Sequence, residues 1–153
     1  MILNRQRRVR VSVRSLEAFL ARVRRRLHLP PEAVSIALVT DAQISRWNRL
    51  YRGKPRPTDV LSFPVSEWNA DHPSPGKFKS KRGMLRSISY LGDIAIAPAV
   101  ARRNARLFHR AFSQEMKILI LHGILHVLGY DHETDSGQMD RFERRLRREL
   151  GLS

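Results

Sequence analysis

Residues 122–132 read HGILHVLGYDH. From Met116 to Leu128 the chain is apolar nearly all round, which predicts a buried helix. His122 and His126 are four apart and so share one face of it. Gly129 follows the last turn, where a positive φ leads the chain out of a helix. The turn then brings His132 back toward the pair. Three imidazoles converging from a helix and its following turn suit tetrahedral Zn²⁺, one ion per chain, with Zn–N bonds of ~2.0–2.1 Å. Three protein ligands leave a fourth position open, the mark of a catalytic rather than a structural ion. Such an ion acidifies a water toward pKa ~7 and polarises a carbonyl or phosphoryl oxygen. A lone histidine on an apolar face is commonly a core residue. Two at ligand spacing inside an apolar helix would be costly to bury without partners. His28, His72 and His109 are isolated in sequence and carry no such implication.

The spacing matches zinc peptidases of the H-E-x-x-H-x-x-G-x-x-H type, in which a Glu after the first His is the general base. Residue 123 is Gly here, so a peptidase or amidohydrolase reading lacks its base. A glycine at 123 is expected to leave space beside the metal for a bulky substrate such as a phosphodiester backbone. Asp131, Glu133 and Asp135 adjoin the third ligand in sequence. All three are candidates for the general base or for partners of the imidazoles.

Upstream, Tyr51 to Pro64 (YRGKPRPTDVLSFP) passes from polar to apolar. Arg52, Lys54 and Arg56 place three cations in five residues, and prolines stiffen the loop. Rigid cations suit phosphate, and Arg grips two oxygens at once. Thr58 and Asp59 stand where the loop enters a strand, which favours a structural anchor for Asp59.

The remaining chain mixes strands and helices. Arg8 to Val13 alternates charged and apolar residues, which predicts a strand. Ser15 is then a candidate cap for a helix through Leu16, Phe19, Leu20, Val23 and Leu27, ended by Pro30 and Pro31. Val34–Val39 predicts a second strand, Asp41 a cap for a helix to Tyr51, and Val60–Phe63 a short strand. Ser66 to Ser87 carries Lys77, Lys79, Lys81, Arg82 and Arg86 among Pro and Gly, and reads as a mobile basic loop. Ile88–Ala97 predicts a strand with Gly92 as a bulge or close approach. Pro98 opens a helix to about His109, Ser113 is a candidate cap for the histidine helix, and a last helix spans about Ser136 to Leu150. The pattern predicts an α+β fold of one small domain, residues 1–153, with a mixed sheet of about four strands and helices packed on it.

Composition sets the outer bounds. The 153 residues include no Cys, which excludes disulfides, thiolate metal sites and a thiol nucleophile. The longest apolar run, Ile118 to Leu128, is interrupted by two His and is too short to span a bilayer. No secretory segment follows Met1, so the expected compartment is the cytoplasm. The Arg-rich, acid-poor start also suggests an organelle transit segment, against which the alternation of residues 8–13 argues. Lys and Arg number 29 against 14 Asp and Glu, a net charge of +15, which favours a polyanionic partner.

Together, YRGKPRPTDVLSFP at 51–64, LGDI at 91–94 and HGILHVLGYDH at 122–132 resemble the YbeY family of bacterial metal-dependent endoribonucleases. The resemblance runs from about Val34 to His132 with the motifs in the same order. It implies a single-domain α+β fold with a zincin-like central helix and zinc on His122, His126 and His132. It implies that Arg52 matches the family's functionally important arginine. It implies cleavage of single-stranded RNA, processing of the 16S rRNA 3′ end, a part in ribosome quality control, and the small ribosomal subunit as partner. A ribosome-assembly factor that binds RNA and uses its metal only for folding is the alternative of another class.

Overall fold

The computed structural model describes residues 1–65 and 90–152, so the basic stretch 66–87 lies outside the described residues. The described elements run β1 (Ile2–Asn4), α1 (Val13–Leu27), β2 (Val34–Leu38), α2 (Asp41–Arg52), β3 (Val60–Pro64), β4 (Gly92–Ile96), α3 (Pro98–Leu107), α4 (Phe112–Val127) and α5 (Gln138–Glu149). The four strands form one mixed sheet in the order β1-β2-β4-β3. β1, β2 and β4 are parallel, and β3 joins β4 antiparallel at the edge. Pro64, which has no N–H to give a ladder, is tolerated on this edge strand. This is the α+β class that the residue pattern predicts.

The central strands are buried on both faces, which is why VSIAL and GDIAI lack a clean polar alternation. Successive residues still point to opposite sides. Ile36, Leu38, Ile94 and Ile96 meet Leu20 and Val23 of α1, Ile120 and Ile124 of α4, and Leu146 of α5 in the larger core. Ala37, Ala95, Leu61 and Phe63 meet Ile44 and Trp47 of α2 and Val100 of α3 in a smaller one. The sheet is therefore the middle of three layers.

Several expected boundaries move. Residues 8–13 are not a strand; the first strand is Ile2–Asn4, paired with Ile36–Leu38. Gln6 explains the difference. Its buried side-chain amide donates to the Val9 carbonyl and accepts from the Val9 N–H, both at 2.9 Å. One side chain thus supplies both bonds a neighbouring strand would have given Val9. Ser12, not Ser15, caps α1, its hydroxyl accepting from the Ser15 N–H. Thr40, not Asp41, caps α2 in the same way through Gln43. Ser113 lies inside α4, whose N-cap is Ala111. Helix α3 ends at Leu107, before His109, and α5 starts at Gln138, two residues after Ser136. Gly92 is a close approach: a Cβ there would lie 2.4 Å from the Phe63 carbonyl oxygen.

Replacing Gln6 by Leu strands a buried N–H and a buried C=O on Val9. The expected loss is about 1–3 kcal/mol, read as a lower urea midpoint at unchanged slope. A variant as stable as the wild type would show that water serves Val9 equally well.

Candidate metal centre

Helix α4 carries the first two histidines at its C-terminal end, where it emerges from the core. Ten of its residues, from Glu115 to Val127, are buried, while His122 and His126 are only half so. The helix closes in a Schellman turn. The Gly129 N–H bonds to the His126 carbonyl and the Tyr130 N–H to the Leu125 carbonyl, both at 3.0 Å. Gly129 supplies the required φ of +104°. The following turn is held by the Asp131 side chain, which accepts from the Glu133 N–H at 3.0 Å. This places exposed His132 over the helix end.

The three imidazoles meet as the spacing predicts. One ring nitrogen from each of His122, His126 and His132 lies within 4.8 Å of the others. The Nε2 atoms of His122 and His126 are 3.1 Å apart. A tetrahedral ion with bonds of ~2.0–2.1 Å needs donors ~3.3–3.4 Å apart. The His122–His126 pair is close to that spacing, and the third donor lies within 4.8 Å, so the chemistry of the set suits a metal ion once the rings draw together. Burial first, then the neighbouring His122 and His132, hold the His126 imidazole below its usual pKa. That favours the neutral form a metal ligand requires.

A cleft of about 450 Å³ opens over this cluster. Its walls are the end of α2 with Tyr51 and Arg52, the loop into β3 with Thr58 and Asp59, the edge strand β3, and the turn from Gly129 to Glu133. Arg52 is the exposed last residue of α2, released there by Gly53 at φ +69°. Lys54 and Arg56 are exposed but are not among the cleft-lining residues. Their loop is held by buried Asn48, whose side-chain amide donates to the Arg56 carbonyl at 2.9 Å. Asp59 is an anchor, accepting from Asn104 at 3.1 Å and from Thr58 at 3.4 Å. Among the three acidic candidates, Asp131 and Glu133 line the cleft. Asp135 starts α5 instead, accepting from the Gly137 and Met139 N–H groups at 2.8 Å. Those two bonds hold its carboxyl below the usual range.

Two features differ from the sequence reading. Gly123 does not open space beside the metal. A Cβ on it would point into the sheet, 2.8 Å from Cγ2 of Ile94. The missing side chain lets α4 settle on β4. The carboxylate that touches an imidazole is Glu143 of α5, with Oε1 2.6 Å from His122 Nδ1. Its other oxygen takes a bond from Arg147 at 2.7 Å. Burial works to raise this carboxyl, but the bond from His122 and the charge of Arg147 outweigh it and hold the pKa low. In sequence Glu143 sits among the arginines of an exposed-looking helix. Its one signal is its place on the stripe of Met139, Phe142, Leu146 and Leu150.

Gly123→Ala is expected to destabilise the fold by about 1–3 kcal/mol by overpacking. Ile94→Ala, which removes the Cγ2 and Cδ1 atoms that meet the added methyl, should make the double variant less destabilised than the sum of the two single losses. Additive losses in denaturant melts would separate the two sites.

The family model described as Endoribonuclease YbeY matches residues 1–151. An Endoribonuclease YbeY from Solibacter usitatus is 44% identical over 112 residues, 73% of this chain and 62% of that protein, somewhat less than two thirds of its length. That from Desulfitobacterium hafniense is 40% identical over 132 residues, 82% of this chain and 79% of the relative. That from Syntrophotalea carbinolica is 34% identical over 147 residues, 94% and 89% of the two chains. A solution structure of a Thermotoga maritima protein superposes with a TM-score of 0.60 at 26% identity, covering 98% of this chain and 89% of that one.

Proposed function

This chain belongs to the Endoribonuclease YbeY family, a family of RNA-cleaving enzymes, and from that premise we propose that it is a zinc-dependent endoribonuclease specific for single-stranded RNA. Its proposed substrate is ribosomal RNA, in particular the 3′ end of 16S rRNA, and its proposed setting is the small ribosomal subunit and ribosome quality control in the cytoplasm. No described helix is long and apolar enough to cross a membrane.

The observation that carries this reading is the convergence of three imidazoles and Arg52 on one cleft. His122, His126 and His132 would hold the ion, which when bound supplies a Lewis acid with an open position. Arg52, exposed on the cleft wall, would bind the scissile phosphate and stabilise the charge that builds on its oxygens. Asp131 and Glu133, on the turn that carries His132, can receive a proton from the attacking hydroxyl or water. The net charge of +15 gathers RNA to the surface before any base is read. A glycine at 123 that serves helix packing gives the peptidase reading no base.

The test is cleavage of labelled single-stranded RNA bearing a 16S 3′-end sequence, with identically purified wild type, His126→Ala and Arg52→Ala, with and without chelator. Wild type should cleave, chelator should abolish cleavage, and His126→Ala should be inactive. Arg52→Ala should lose about 10²–10³-fold in rate, as for removal of an oxyanion donor, while still binding RNA. A 2′,3′-cyclic phosphate at the new end identifies the 2′-hydroxyl as nucleophile, and a 5′-phosphate identifies water. Cleavage that survives His126→Ala would overturn the assignment. RNA bound by every form but cut by none would favour the assembly factor.

A further inference from the structure

We propose that Glu143, braced by Arg147, is the positioning residue of the metal centre: it holds His122 in the Nδ1–H tautomer and turns Nε2 toward His126 and His132. The inference rests on the metal reading above and adds to it a residue from α5 that the motif does not contain.

The chemistry of the contact dictates the tautomer. A carboxylate can only accept, so the 2.6 Å contact between His122 Nδ1 and Glu143 Oε1 requires the proton on Nδ1. In the neutral ring, the form that can bind a metal, the lone pair is then on Nε2, the atom 3.1 Å from its counterpart on His126. The carboxylate itself is fixed from its other side. Arg147, one helical turn further along α5, donates to Oε2 at 2.7 Å. Each oxygen of Glu143 has one partner, so the side chain cannot rotate without breaking a charged bond.

Fold stability alone does not call for this arrangement. Glu143 is 7% exposed and sits on the face of α5 that packs against α4, beside Met139 and Leu146. An apolar residue of similar size would hold two helices together as well or better, because a buried ion pair must first be desolvated. Of the acids near the site, Asp131 holds its own turn and Asp135 the start of α5, and among the described residues only Glu143 hydrogen-bonds to an imidazole. Ligating histidines commonly give their second N–H to a carboxylate, which orients the ring and makes the ligating nitrogen more basic. Here α5 brings that partner from 21 residues away.

The test measures metal affinity on the metal-free chain, not activity. Zn²⁺ dissociation constants are read by competition with a chromophoric chelator for wild type, Glu143→Gln, Glu143→Leu and His126→Ala. Melting of each metal-free form is measured alongside. Glu143→Leu should bind Zn²⁺ about 10–100-fold more weakly. Glu143→Gln keeps an acceptor for Nδ1–H without the charge, folds with the same shape, and should fall between. Long-range ¹⁵N–¹H spectra of the metal-free wild type should show His122 protonated at Nδ1, and Glu143→Leu should lose that preference. Wild-type Zn²⁺ affinity in both Glu143 variants would overturn the inference, whatever their melting temperatures, and leave the metal centre standing. A wild type that binds Zn²⁺ no better than His126→Ala would remove the metal reading and this inference with it.

Discussion

Helix α4 lies close on strand β4 because residue 123 has no side chain. That contact organises the rest of the site. The helix is buried along most of its length between the sheet and helices α1 and α5. Its depth over the sheet determines where its C-terminal end emerges, and so where His122 and His126 stand. Ser62 of the edge strand fastens the same point, its hydroxyl donating to the Gly123 carbonyl at 3.2 Å. The wall of the cleft and the helix that carries His122 and His126 are thereby joined at one residue. A glycine that reads as room for substrate is in fact a close contact between helix and sheet.

The strong positive charge makes the placement of the few acids informative. Those that are buried have fixed partners: Glu115 with Arg110 at 2.7 Å, Asp93 with the hydroxyl of Tyr90, and Glu143 with His122 and Arg147. Burial of an unpaired carboxylate is expensive, and here none of these is unpaired. The exposed pairs Arg26–Glu149 and Arg144–Asp140 lie in solvent, where such contacts contribute little. The remaining arginines of α1 and α5 face outward and supply the general field. Three acids adjoin the histidine cluster: Asp131 and Glu133 line the cleft, and Glu143 touches His122.

The ends of the elements show how local and distant forces divide the work. Gly129 makes its turn from local rules alone, and Gly53 ends α2 by the same left-handed device. The capping residues follow a less local rule. Ser12 was available as a cap only because Gln6 and Val9 fold the preceding chain on itself rather than extending it as a strand. Alternation of charge and apolarity in residues 8–13 is a true pattern in the sequence. It does not make a strand, because the Gln6 side chain takes both backbone groups of Val9.

What the sequence determined by itself was set by neighbours a few residues apart. The helical spacing of His122 and His126, the glycine turn that returns His132, the stripes of α1 and α5 and the mixed order of strands and helices all rest on periodicity and backbone conformation. Those carry the α+β class and the meeting of the three histidines. What only the tertiary structure decided depends on elements that meet from far along the chain. The side of α4 on which Gly123 points is known only once Ile94 is in place. Glu143 reads as one acid in an arginine-rich helix until α5 packs on α4 and presents it to His122. Lys54 and Arg56 follow Arg52 closely in sequence but do not line its cleft, because they lie past the end of α2 in a loop that Asn48 holds. Burial and partner choice are properties of the packed chain, and no local window contains them.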